Sequence, residues 1–163
     1  CGSGAIGAAI ASAAGAIELH ACDCDATAVA LATRNLERFE ARVHRGDLLD
    51  ALPAELRGRV DLIAANAPYV PSGEIGLMPR DARLYEPPWA LDGGADGLDP
   101  LRRIAASAPG WLAPGGSVIV EAASDGSEAA AATLGAAGLQ AHATRSEEHE
   151  VAVLVGVATE RPL

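Results

Sequence analysis

Apolar positions in this chain fall into short blocks whose spacing switches between that of a helix and that of a strand, and the switching predicts an α/β order. Ala5–Ala14 is rich in Ala and follows Cys1-Gly2-Ser3-Gly4, the pattern of a loop opening into a first helix. Ile17–Ala21 predicts a strand that runs into Cys22-Asp23-Cys24-Asp25. Asp25 is placed to cap a helix over Ala26–Phe39, which buries Val29, Ala32, Leu36 and Phe39 at helical spacing. Ala41–Arg45 reads as a short strand ending at Gly46-Asp47-Leu48, and Val60–Ala65 as a nearly continuous apolar strand of the kind buried in a parallel sheet.

Regularity then stops. Between Asn66 and Gly97 the chain carries Pro68, Pro71, Pro79, Pro87 and Pro88 together with five glycines from Gly73 to Gly97, so no continuous helix or strand is expected there. A connection of this length inside a compact domain is more often functional than idle. A helix is predicted at about Leu98–Trp111, ended by Pro114-Gly115-Gly116, then a strand at Ser117–Ala122 and a helix at about Ser127–Ala137. Leu139–Thr144 and Val151–Ala158, separated by the charged turn Ser146–Glu150, read as an antiparallel hairpin. The whole predicts a doubly wound, mostly parallel sheet closed by that hairpin.

Size and composition narrow the classes. The 163 residues suit one domain, and at 50% hydrophobic they can fill a core. Net charge is −10 and every basic residue is Arg, without a basic run, which weakens a nucleic-acid partner. Three cysteines, Cys1, Cys22 and Cys24, suggest reduced thiols in a cytoplasmic compartment, and no stretch is long and apolar enough to span a bilayer.

Chemistry concentrates at the predicted strand ends, where such sheets bind ligands. Gly2 and Gly4 allow a close backbone approach to a ligand, or simply form a turn. Asp23, about 20 residues after the glycines, is placed to accept from a ribose diol. Its plainer role is helix capping, which Asp25 already performs. Asp47 is placed to accept from an adenine amino group while Leu48 packs on the ring; alone it is a turn residue. Asn66-Ala67-Pro68-Tyr69 either opens an ordinary loop or holds a planar NH2 group. In the second case the Asn66 side-chain oxygen and the Ala67 carbonyl accept its two N–H bonds, Pro68 keeps Ala67 extended, and Tyr69 offers a flat face. His20, Cys22, Cys24 and Cys1 make a poor metal set, and no metal is expected. His142 and His149 read as surface residues, Trp89 as a candidate channel residue and Trp111 as packing. Glu74, Arg80, Asp81 and Arg83 read as a solvated loop.

In this order the motifs resemble those of the class I methyltransferases that use S-adenosylmethionine, and within them the HemK-like protein-glutamine N5-methyltransferases of peptide-chain release factors. Cys1-Gly2-Ser3-Gly4-Ala5-Ile6-Gly7 looks like that family's donor loop, Asn35 sits where its second helix often has Asn, and Asn66–Pro71 looks like its catalytic loop. Tyr85-Glu86-Pro87 with the segment Ala90–Asp99 is the most distinctive match, and Pro114-Gly115-Gly116 and Glu121 agree with the later pattern. The resemblance implies a Rossmann-like fold forming one catalytic domain over residues 1–163. It implies S-adenosylmethionine held by Gly2, Gly4, Asp23, Cys24, Asp47, Leu48 and Asn66, and catalysis by Asn66, Ala67, Pro68 and Tyr69. Its acceptor is a protein glutamine; a nucleobase amine, or a degenerate non-catalytic domain, is the alternative. Ala67 departs from the family's usual Pro, which keeps the carbonyl but loosens its direction, so catalysis is expected to survive at a lower rate. The family also has an acidic strand before the Gly-rich loop and a helical recognition domain before that, neither of which precedes Cys1 in this sequence. The 163 residues in isolation are therefore expected to fold poorly or bind donor weakly, against which a cooperative melt with tight calorimetric donor binding would count.

Overall fold

The computed structural model describes residues 1–146 and 151–159, in two compact units, Cys1–Leu56 and Arg57–Leu163. The first unit is built from α1 (Ala5–Ala14), β1 (His20–Asp23), α2 (Ala26–Leu36) and β2 (Arg42–Arg45). Gly4, at φ +82°, turns the chain left-handed into α1, and Gly15, at φ +80°, ends it by donating its N–H to the Ala11 carbonyl. Asp25 caps α2 as expected, accepting the Ala28 N–H at 2.8 Å. β1 and β2 pair in parallel, with Cys22 opposite His44. Ala21, Ala32 and Leu36 form the core, flanked by Ala8, Leu19, Phe39, Ala41 and Val43.

Two expectations shift here. The strand lies at His20–Asp23 rather than Ile17–Ala21, because the ladder starts where the Arg42 N–H reaches the Leu19 carbonyl, and Ile17 is exposed. Residues Glu37–Phe39 tighten into a 3₁₀ turn instead of extending α2, so Phe39 and Val29 are only half-buried.

The second unit begins with β3 (Val60–Ala65), whose bounds agree with the sequence pattern. The long connection that follows holds a 3₁₀ turn at Ile75–Leu77 and two short helices, α3 (Arg80–Tyr85) and α4 (Pro88–Leu91). Then come α5 (Asp99–Trp111), β4 (Leu112–Ala123), α6 (Ser127–Ala136), β5 (Leu139–Ser146) and β6 (Val151–Ala158). The sheet order is β3-β4-β6-β5, parallel between β3 and β4 and antiparallel thereafter, so the expected terminal hairpin is present and β6 lies between β4 and β5. Of the expected turn after Ser146, residues 147–150, including His149, lie outside the described residues.

β3 is less buried than its apolar sequence implied. Only Ile63 is buried and Leu62 is 38% exposed, since in its sheet β3 pairs with β4 alone among the described residues. Pro114-Gly115-Gly116 also sits differently: it lies within β4 as an irregularity, between the Val60–Leu112 and Leu62–Ser117 pairs, rather than separating helix from strand. A side chain at 116 would meet the Val60 carbonyl at 2.7 Å, which is why Gly occupies the bulge.

α5 presents Leu101, Ile104, Ala105, Ala108 and Trp111 as its buried face. Val118, Val120 and Ala122 of β4, Ala152 and Leu154 of β6, and Ala130 and Leu134 of α6 are also buried. Trp111 is 1% exposed, with the Arg57 guanidinium 4.3 Å over its ring. Trp111→Ala is expected to cost about 3–5 kcal/mol, because it removes the largest fully buried side chain and leaves a cavity. Arg57→Ala is expected to cost under about 1 kcal/mol. Urea unfolding followed by circular dichroism separates the two; equal losses would mean that the cation, rather than burial, carries the contribution.

Candidate active site

Of the sequence-predicted donor residues, Gly2, Gly4, Asp23, Cys24, Asp47 and Leu48 lie in the first unit and Asn66 in the second. Gly2 and Gly4 both have positive φ, +54° and +82°. They differ in their surroundings: a Cβ at Gly4 would press on Leu36 Cγ at 2.9 Å, whereas one at Gly2 would meet nothing within 4 Å. Gly4 is therefore required by packing, and Gly2 faces open space beside the loop. Asn35, the α2 residue singled out by resemblance, donates from Nδ2 to the Ser3 carbonyl at 2.9 Å and so braces the loop from below. α1 starts immediately afterwards with no side chain capping its N-terminus, which leaves backbone N–H groups directed out of the helix end.

Asp23 at the end of β1 gathers this loop. Its Oδ2 accepts from the Gly2 N–H and from the Cys1 nitrogen, both at 2.9 Å, and its Oδ1 accepts from the Asp25 N–H at 2.9 Å. Burial pushes its carboxyl up, but the Asp25 N–H, the Cys1 nitrogen and the Gly2 N–H outweigh that and hold it below the usual carboxylate range. It is ionised at neutral pH. A carboxylate offers about four acceptor positions, so three inward bonds leave capacity for a further donor. The choice between capping and ligand binding was thus incomplete, since Asp23 also organises the loop.

The end of β2 is held against the same strand. The Gly46 N–H donates to the Asp23 carbonyl at 3.0 Å, and the Cys22 thiol donates to the Leu48 carbonyl at 3.1 Å. Asp47 is exposed and Leu48 half-buried. Cys24 is exposed, and its carbonyl accepts from Arg45 Nε at 3.4 Å. An ionised carboxylate at one strand end, an exposed carboxylate beside an apolar side chain at the next, and a glycine turn opening on free space form the donor set a nucleoside asks for. Among the described residues no group of three His, Cys, Asp or Glu is arranged to hold a metal; His20 instead stacks on His44, with 2.9 Å between their ring nitrogens.

The sequence-predicted catalytic residues lie in the second unit, where β3 ends. Asn66 is exposed, Ala67 is buried, and Pro68 and Tyr69 are intermediate. Tyr69 donates its hydroxyl to Glu121 Oε1 at 3.3 Å. The partner follows from register: Ala65 pairs with Val120, so Glu121 is the β4 residue next to the exit of β3. Burial, then the Glu121 charge, pushes the Tyr69 phenol above its ordinary range, so it stays protonated and donating at neutral pH.

The loop after Tyr69 is clasped by residues 91–99. Val70 donates its N–H to the Leu91 carbonyl at 3.0 Å and accepts from the Gly93 N–H at 2.8 Å, forming a parallel bridge with Asp92. Ser72 gives its N–H to the Gly94 carbonyl at 2.9 Å and its hydroxyl to Asp92 Oδ1 at 2.6 Å. The Ser72 hydroxyl and the Gly94 N–H hold the Asp92 carboxyl below its usual range. The glycines have distinct reasons. A Cβ at Gly97 would run into the Tyr69 carbonyl oxygen, one at Gly94 into the Asp99 carboxylate, and one at Gly93 into the Gly97 backbone at 2.7 Å. Arg102 anchors the far side through Asp96, at 2.5 Å, and Asp99, at 2.9 Å.

Three contributors were not legible as such. Cys22, Glu121 and Asn35 carry no local signal of these bonds, because each acts on a partner more than 20 positions away. Trp89 is 59% exposed, while His142, Glu74, Arg80, Asp81 and Arg83 are exposed as expected. No described helix is long and apolar enough to cross a membrane.

The family model of the methyltransferase small domain matches residues 1–78. A release factor glutamine methyltransferase of Bordetella pertussis is 44% identical over 141 residues, covering 85% of this chain and 51% of that protein. A ribosomal protein uL3 glutamine methyltransferase of the same organism is 37% identical over 124 residues, covering 74% of this chain and 40% of that one. The chain thus spans about half the length of the curated relatives it matches. The crystal structure of a methyltransferase from Pyrococcus furiosus superposes with a TM-score of 0.67 at 16% identity, covering 97% of this chain and 71% of that one, which shows the shared Rossmann-like fold. With motif order, fold and relatives in agreement, the chain belongs to the class I S-adenosylmethionine-dependent methyltransferases, among which it resembles the HemK-like protein-glutamine enzymes.

Proposed function

We propose that residues 1–163 act as one methyltransferase catalytic domain that methylates the side-chain amide nitrogen of a protein glutamine, the Gly-Gly-Gln glutamine of a peptide-chain release factor. The observation that carries this reading is the braced loop Asn66–Tyr69, with its backbone direction set by the glycine clasp. The names of the relatives support the acceptor class.

When bound, S-adenosylmethionine supplies an electrophilic methyl group; the first-unit residues that would hold it are Gly2, Gly4, Asp23, Cys24, Asp47 and Leu48. The protein's own task is orientation. An amide nitrogen is a poor nucleophile because its lone pair is delocalised. With one N–H given to the Asn66 side-chain oxygen and the other to the Ala67 carbonyl, the NH2 group is fixed in plane, and charge developing on nitrogen meets two preorganised acceptors. Ala67 keeps that carbonyl although it lacks the ring of the usual Pro, and Pro68 confines Ala67 to extended conformations. Tyr69 offers its face to the amide, and its bond to Glu121 fixes the ring.

A net charge of −10 without Lys supports a protein acceptor over a nucleic acid. The decisive experiment incubates the full-length protein with labelled S-adenosylmethionine and a purified release factor and reads the Gly-Gly-Gln peptide by mass spectrometry. The expected result is one methyl on the glutamine amide, with Asn66→Ala lowering kcat by about 10²-fold or more. Donor binding without methylation of that glutamine, or methylation of RNA in its place, would overturn the acceptor assignment. The Tyr69 role has its own readout. In a variant whose only tyrosine is Tyr69, the phenol is expected to titrate above pH 10, and Glu121→Gln to bring the midpoint down toward 10, followed by ultraviolet absorbance. An unchanged midpoint would detach Glu121 from the site.

A further inference from the structure

β1 ends in two adjacent residues that reach the same turn from opposite sides. The Asp23 carbonyl takes the Gly46 N–H at 3.0 Å, and the Cys22 thiol donates to the Leu48 carbonyl at 3.1 Å. Asp47 is the residue between these two anchors. The turn is not one the backbone adopts freely. Leu48 sits at φ +47°, one of two described non-glycine residues in the left-handed region. The following 3₁₀ turn, Leu48–Ala51, folds back so closely that a Cβ at Gly46 would meet Ala51 Cβ at 2.9 Å. A left-handed, non-glycine residue persists only when its surroundings hold it there, and here the thiol bond to its own carbonyl is a visible restraint.

We infer that Cys22 is a positioning residue for the adenine side of the donor site: through the Leu48 carbonyl its thiol fixes the left-handed turn that aims Asp47. This rests on the reading of the first unit as the donor-binding part. The chemistry of the thiol suits the role. Burial pushes its pKa up, and Asp23 and Asp47 reinforce the rise, so the sulfur keeps the proton it donates. A hydroxyl in its place would donate as well, whereas Val would fill the space without donating.

The test is titration calorimetry on the full-length protein, with S-adenosylhomocysteine and with its inosine counterpart, in which the purine amino group is replaced by a carbonyl. Cys22→Val is expected to weaken S-adenosylhomocysteine binding about three- to tenfold, the scale of one net hydrogen bond, and Cys22→Ser to restore most of that loss. The preference for the amino-bearing ligand should fall toward unity in Cys22→Val, which a general loss of packing would not produce. Cys22→Ala is measured alongside, so a folding defect in one variant does not decide the matter. Wild-type affinity and wild-type preference in both Val and Ala variants would overturn the positioning role while leaving the donor site intact. Failure of the wild-type protein to bind S-adenosylhomocysteine would instead overturn the donor-binding reading and this inference with it.

Discussion

No side chain fits between residue 97 and the carbonyl of Tyr69, and the loop that follows β3 is arranged around that close approach. Because Gly97 lies against the Tyr69 backbone, Gly93 must lie against Gly97, and Gly94 turns above the Asp99 carboxylate. At Gly97 and Gly93 the crowding is between main chains, so it sets direction rather than mere proximity. Val70 and Ser72 then find the carbonyls and N–H groups of residues 91–94 in register. Glycine carries an entropic cost in the unfolded chain, and here the cost is offset by a dense set of backbone bonds across an otherwise irregular segment. Tyr69, Val70 and Ser72, which follow directly on Asn66–Pro68, are the residues this framework holds.

The first unit solves an equivalent problem with charge. Asp23 accepts from two nitrogens of the Gly-rich loop and from one at the start of α2, and its own carbonyl receives Gly46. One residue thereby sets the loop before α1, the turn into α2 and the exit of β2. An ionised carboxylate is effective in this role because charge-assisted bonds are shorter and stronger than neutral ones. It also explains why the strand end itself, rather than a flexible loop tip, carries the polar chemistry.

Local signals in the sequence reported the elements whose causes are local. The Ala-rich run between Gly4 and Gly15, the Asp25 cap and the apolar block Val60–Ala65 are where periodicity and capping placed them. What misled was any feature whose meaning depends on a distant partner. Ile17 and Leu19 are apolar, yet the ladder with Arg42–Arg45 begins after Leu19, so hydrophobicity marked the wrong residues. Pro114-Gly115-Gly116 resembles a terminator, but Gly116 faces the Val60 carbonyl across a bulge inside β4. In the candidate site the same division holds. Asn66–Tyr69 and Asp23 announce themselves by type and spacing, whereas the bonds from Asn35 to Ser3, Cys22 to Leu48 and Tyr69 to Glu121 join positions that no short window contains.

The placement of β6 between β4 and β5 has a consequence for synthesis. A chain that emerges from its amino end makes β4 and β5 before the strand that joins them, and neither pairs with the other in the finished sheet. Until Val151–Ala158 has left the ribosome, β5 has no ladder at all and β4 has only β3. The sheet of the second unit is completed only when β6 joins β4, through pairs separated by 28 to 40 residues of sequence. Translation of β6 is therefore the event that brings β4 and β5 into one sheet.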